Sequence, residues 1–89
     1  MTWEKIIFDA VKELCLAKGT PYFEIKEIYA YEDKFRKHYP DNNFIPDKIR
    51  QQLHYLDKKK KIVLLNKKGR YKLKRFLQIE NNKDHPYPE

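Results

Sequence analysis

Arg50 and Gln51 stand side by side in the stretch Asn42-Asn43-Phe44-Ile45-Pro46-Asp47-Lys48-Ile49-Arg50-Gln51-Gln52-Leu53. An arginine fork matches guanine O6 and N7, and a glutamine amide matches adenine N6 and N7, each through two hydrogen bonds. Asn42 and Asn43 add amides ahead of them. Lys48 in the same stretch, and Lys67, Lys68 and Arg70 beyond it, suit phosphate oxygens. Asp47 is the odd member, because phosphate repels a carboxylate. It either selects a base, by accepting from cytosine N4 or adenine N6, or it simply favours the positive end of a helix. Phe44 is either an apolar wedge or methyl contact, or a staple packed on the turn before it. His54 is either a base contact at the far end of the stretch or a solvated side chain.

Such groups act together only if one element presents them on one face. At 100° per residue Ile45, Ile49, Leu53 and Leu56 fall in one narrow arc. Asn43, Phe44, Asp47, Arg50, Gln51, His54 and Lys58 fall opposite, with Lys48 and Tyr55 at the edge. A helix over about 44–58 is therefore expected, with Asn43 as its cap and Pro46 tolerated in its first turn. Behind it, Ile62-Val63-Leu64-Leu65 reads as a strand, and Asn66-Lys67-Lys68-Gly69 suits a type I turn with a glycine bulge. Tyr71-Lys72-Leu73-Lys74 alternates apolar and basic, as a half-buried strand does. The wing so formed brings Lys67, Lys68, Gly69, Arg70 and Tyr71 to one edge.

Upstream, Thr2 can cap a first helix whose stripe is Ile6, Ile7, Ala10, Val11, Leu14 and Cys15, stopped by Lys18-Gly19-Thr20-Pro21. Tyr22-Phe23 suits a short strand. Ile25, Ile28, Tyr29, Glu32 and Phe35 outline one second helix, closed at His38-Tyr39-Pro40, and Pro40-Asp41-Asn42-Asn43 makes a turn. The order is that of an α+β winged helix-turn-helix: three helices, a C-terminal hairpin wing and a short strand between helices 1 and 2. One domain over 1–79 is expected, with 80–89 a polar, flexible tail.

The net charge of +7 is unevenly placed. Residues 48–75 hold twelve Lys/Arg against one acid, Asp57, while the remainder is net acidic. A surface that is merely solvated mixes its signs, so this separation is the footprint of a polyanion partner. The run Lys58 to Lys61 is read either as phosphate-binding or as a solvated helix end. The lone Cys15 lies among core positions and reads as a small hydrophobe, which together with the absence of a signal peptide fits a reducing cytoplasm. No apolar run is long enough to span a membrane.

Catalysis finds little support. His38, His54 and His85 lack metal-ligand spacing, one cysteine cannot build a zinc finger, and two glycines cannot make a phosphate loop. Glu24-Ile25-Lys26 and Pro46-Asp47 imitate nuclease fragments, but in reversed order and on expected helices. No catalytic residue, metal or cofactor is expected in this chain.

The blocks Glu27-Ile28-Tyr29-Ala30-Tyr31-Glu32, Tyr39-Pro40-Asp41-Asn42-Asn43, Lys48-Ile49-Arg50-Gln51-Gln52-Leu53 and Gly69-Arg70-Tyr71 keep a distinctive spacing. In these the chain resembles the C-terminal winged-helix domain of the DpnI-like (Dam-replacing) restriction endonucleases. The resemblance implies a reader of N6-methyladenine in GATC-type duplex DNA, joined in the parent protein to a PD-(D/E)xK nuclease. It implies DNA contacts by Asn42, Asn43, Lys48, Arg50 and Gln51, with backbone or groove contacts from the wing at 67–71. A methyl reader needs apolar atoms in the major groove, and Phe44, Ile45 and Pro46 are the candidates. Two other readings stay open: a methyl-indifferent winged-helix regulator, and a winged helix used for protein contacts. A monomer is expected, with no coiled-coil seam for a dimer.

Overall fold

The computed structural model describes residues 2–76. Its order is α1 (Trp3–Lys18), β1 (Tyr22–Glu24), α2 (Ile25–Tyr29), α3 (Glu32–His38), α4 (Ile45–Lys58), β2 (Ile62–Asn66) and β3 (Arg70–Leu73). The strands form one antiparallel sheet in the order β1-β3-β2. This is the expected winged helix, with helix 3 of the sequence reading appearing as α4. The expected tail over 80–89 lies outside the described residues.

Local chemistry sets the ends of α1. The Thr2 side chain accepts from the Lys5 N–H at 3.1 Å. Gly19 takes a left-handed conformation, φ 72°, and returns its N–H to Cys15 O at 2.9 Å. Between these ends Ile6, Ile7, Ala10, Val11 and Cys15 are buried. They pack with Phe23, Ile28, Phe35, Ile45, Ile49, Leu53, Leu56, Ile62, Tyr71, Leu73 and Phe76 in one core. Trp3 stacks on Tyr39 at 4.3 Å between ring centroids, which fastens the start of α1 to the end of α3. Burial pushes the Cys15 thiol up to about 11, so it stays protonated and inert at neutral pH.

The single second helix expected from the sequence is two. The Tyr31 N–H bonds to Ile28 O at 2.9 Å, an i to i−3 contact, and Tyr31 sits at φ −90°, ψ 7°. The chain turns there and α3 restarts at Glu32. Ile28 and Phe35 are both fully buried. Their spacing of seven suits one helix as well as two, so periodicity does not reveal the break.

At the junction of β1 and α2 the backbone donors Glu24 N–H and Ile25 N–H are turned to nearby acceptors. A helix start leaves N–H groups without internal partners. The Glu24 N–H donates to the Glu27 carboxylate at 2.8 Å, and the Ile25 N–H donates to Gly69 O at 2.8 Å. The wing is thus bonded directly to the first turn of α2. Gly69, at φ 90°, lies so close that a Cβ there would sit 2.5 Å from Ile25 Cγ2. Ile25 is β-branched and its methyl cannot swing clear.

Glu27 also takes a salt bridge from Lys18 at 2.9 Å. Burial alone would raise its carboxyl, but the bonds from Lys18 and the Glu24 backbone outweigh burial and hold it below the ordinary value. A depressed carboxylate contributes its stability above the unfolded pKa and loses it as pH falls through the folded one.

Two outcomes follow for denaturation experiments. Gly69→Ala combines a left-handed backbone with overpacking and is expected to lower unfolding free energy by about 2 kcal/mol or more in urea titration. Glu27→Gln is expected to lose about 1 kcal/mol at neutral pH, as for a lost helix cap. Its deficit should be full above the usual glutamate pKa of about 4.3 and shrink as the solution is acidified further. A deficit independent of pH would rule out the charged cap.

Candidate nucleic-acid interface

The apolar arc of α4 is buried as expected: Ile45, Ile49, Leu53 and Leu56 are all inaccessible, and Gln52 joins them at the edge. That fixes the rotation of the helix and turns Phe44, Asp47, Arg50, Gln51 and His54 outward, all exposed. Pro46 stands in the first turn, where its missing N–H has no intrahelical partner. The helix dipole makes this end attractive to anions.

The outward groups are bonded to one another. The Arg50 guanidinium donates through Nη2 to Asp47, one turn earlier, and through Nη1 to the Tyr29 hydroxyl on α2 at 3.3 Å. These contacts, Tyr29 foremost, hold Arg50 more firmly protonated than a free arginine. The Lys48 ammonium reaches Gln51 Oε1 at 3.3 Å. Asp47 therefore has a partner that residue type alone does not reveal: its carboxylate pairs with Arg50 while remaining exposed to solvent.

The turn before α4 is held by Asn42, whose Oδ1 accepts from the Phe44 N–H at 2.7 Å. Asn43 was expected to cap the helix, but the capping position falls on Phe44, which makes no side-chain cap bond. The Asn42 Asx-turn takes over that work. Asn43 is left exposed beside the helix start.

In the wing, Asn66 performs the same service. Its Oδ1 accepts from the Lys68 N–H at 2.9 Å and the Arg70 N–H at 3.3 Å, and Gly69 N–H closes on Asn66 O at 3.4 Å. Gly69 takes the left-handed conformation expected at the end of this turn, φ 90°, and a separate register shift falls on β2 between Leu64 and Asn66. Lys67 and Lys68 project from the tip, exposed and with no ion-pair partner among the described residues. Arg70 lies over the Tyr22 ring at 5.6 Å on the open face of the sheet.

Not every cation of the basic stretch is available in this way. Lys59 bonds Glu4 at 2.7 Å, and Lys61 lies 3.9 Å from the same carboxylate. Both pack α4 and its exit against α1. Asp57, the one acid there, accepts from the Leu64 N–H at 3.1 Å and joins α4 to β2.

Three site expectations are corrected. Ile45 is 0% exposed and cannot meet a methyl group on DNA; it belongs to the core arc. Tyr71 is 8% exposed and stacks on Phe23 across the strands at 5.3 Å, so its ring supports the sheet instead of contacting a groove. Burial also raises its phenol, which stays neutral. Phe44 is 67% exposed, so the reading that packs it on the turn does not hold. Tyr29 and Asn66 were missed as members of the surface. Tyr29 read as stripe, and nothing local marks a partner twenty-one positions away.

Among the described residues no group of three or more His, Cys, Asp or Glu could hold a metal ion, and no helix is long and apolar enough to cross a membrane. Residues 2–73 match the family model described as the Dam-replacing HTH domain. No curated protein matches the chain. A helix-turn-helix domain of this kind binds DNA, and double-stranded DNA is the partner it implies.

Alanine substitution should separate the two parts of the surface. Lys67→Ala or Lys68→Ala is expected to weaken every duplex similarly and to flatten the slope of log K against log salt by about one. Arg50→Ala and Gln51→Ala are each expected to cost about 1–3 kcal/mol on the cognate duplex and to relax base preference. Fluorescence anisotropy across a salt series reads both. Unchanged affinity and selectivity in Arg50→Ala would mean that α4 does not enter the groove by this face.

Proposed function

The chain belongs to the Dam-replacing HTH domain family, and from that premise we propose that it reads N6-methyladenine in a GATC-type duplex site. In this reading it is the specificity domain of a modification-dependent restriction endonuclease, covalently joined to a nuclease domain in the parent protein. Arg50 and Gln51 read base edges, Lys48 and the wing residues Lys67, Lys68 and Arg70 hold phosphates, and Asn42 and Asn43 line the approach.

The observation that carries the methyl reading is Phe44. A phenylalanine left 67% exposed at the head of α4, beside the half-buried Pro46, is apolar surface without an internal reason. N6-methylation adds an apolar group to the major groove and leaves one N6 hydrogen for bonding. Phe44 and Pro46 offer the first a dry contact, and the carboxylate of Asp47 offers the second an acceptor. One buried methyl contributes roughly 1 kcal/mol, so methyls on both strands add about one to two units in log K.

Matched short duplexes bearing GATC unmethylated, methylated on one strand and methylated on both test this at two salt concentrations. Methylation is expected to tighten binding about tenfold or more, and Phe44→Ala to remove most of that gain. Equal binding to all three with a steep salt slope would leave a methyl-indifferent DNA binder.

A further inference from the structure

We propose that Tyr29 is a positioning residue for guanine recognition: its hydroxyl sets the Arg50 guanidinium before DNA arrives. The inference rests on the reading of Arg50 as the group that meets guanine. An exposed arginine samples many rotamers, and ordering it on binding subtracts from affinity. Here two acceptors from different elements already hold the fork, Asp47 on α4 and Tyr29 on α2. A guanidinium has five N–H groups. The two contacts leave enough donors for both O6 and N7.

Asp47 alone cannot define the direction of the side chain, because it rides on the same helix one turn away. Tyr29 belongs to a different body. Its ring is packed against the core, and α2 is pinned at its start by the Ile25 N–H to Gly69 O bond and by the Glu24–Glu27 contact. The hydroxyl therefore refers the Arg50 fork to the same short helix that holds the wing. Base reading and backbone clamping share one reference frame.

Tyr29→Phe keeps the ring and removes only the acceptor. Binding is measured by anisotropy to the fully methylated GATC duplex and to the same duplex with 7-deazaguanine, which lacks N7. The native chain is expected to prefer guanine. Tyr29→Phe should reduce that preference about three- to tenfold, the worth of one hydrogen bond, with melting temperature and salt slope unchanged. An unaltered preference in Tyr29→Phe, beside its loss in Arg50→Ala, would overturn the role of Tyr29 and leave Arg50 in place. A native chain indifferent to N7, with Arg50→Ala behaving alike, would remove the reading of Arg50 and this inference with it. NMR relaxation of Arg50 Nε in the free native chain gives an independent measurement should the variant fold poorly. A restricted side chain supports pre-setting, and free rotation on the picosecond to nanosecond scale refutes it.

Discussion

The approach of Gly69 to Ile25 is the constraint on which the rest of the surface depends. It combines a backbone hydrogen bond that satisfies an otherwise orphaned helix donor with a contact too close for any side chain but hydrogen. A two-stranded hairpin is marginal by itself, so a wing needs something rigid to lean on. The wing leans on β1 through the β1–β3 pairing and on α2 through this contact. Because α2 also carries Tyr29 to Arg50, one glycine connects the hairpin to the outward face of α4.

The electrostatics follow a division of labour that charge counting conceals. Lys59 and Lys61 gather on Glu4, and Asp57 turns inward to the backbone of β2. Arg70 and Lys72 flank the ring of Tyr22. Among the described residues, Lys67 and Lys68 at the wing tip remain without an ion-pair partner, as do Lys58, Lys60, Lys74 and Arg75. Surface ion pairs contribute little to stability, so the pairs matter here mainly for where they leave cations unpaired. Arg50, by contrast, is already paired with Asp47 and Tyr29.

The architecture was largely legible in the chain because its signals are local or periodic. The stripe of Ile45, Ile49, Leu53 and Leu56 fixed the outward face of α4, and Gly19 and Gly69 marked a helix end and the turn between β2 and β3. What escaped depended on contacts between distant segments or on subtle backbone dihedrals. The break at Tyr31 changes no apolar spacing. Tyr71 alternates properly for a strand, but which of its neighbours lies inward depends on Phe23 across the sheet. Ile45 was placed both in the core arc and among the methyl contacts, and burial decides between them. Asn42 and Asn43 are equivalent by residue type, and only the turn's geometry chooses Asn42 as the acceptor.

The pairing of Tyr22 with Lys72 has a consequence for how the domain comes into being. Strand β1 is made early and its partner β3 late, with every helix after α1 lying between them. Closing so long a loop is entropically slow, whereas helices form from neighbours. During synthesis α4 is therefore complete while β1 still lacks its partner β3 and the Gly69 contact does not yet exist. Such a nascent chain holds α4 without the frame that orients its outward face. The wing and the outward face of α4 come into register only when β3 docks between β1 and β2.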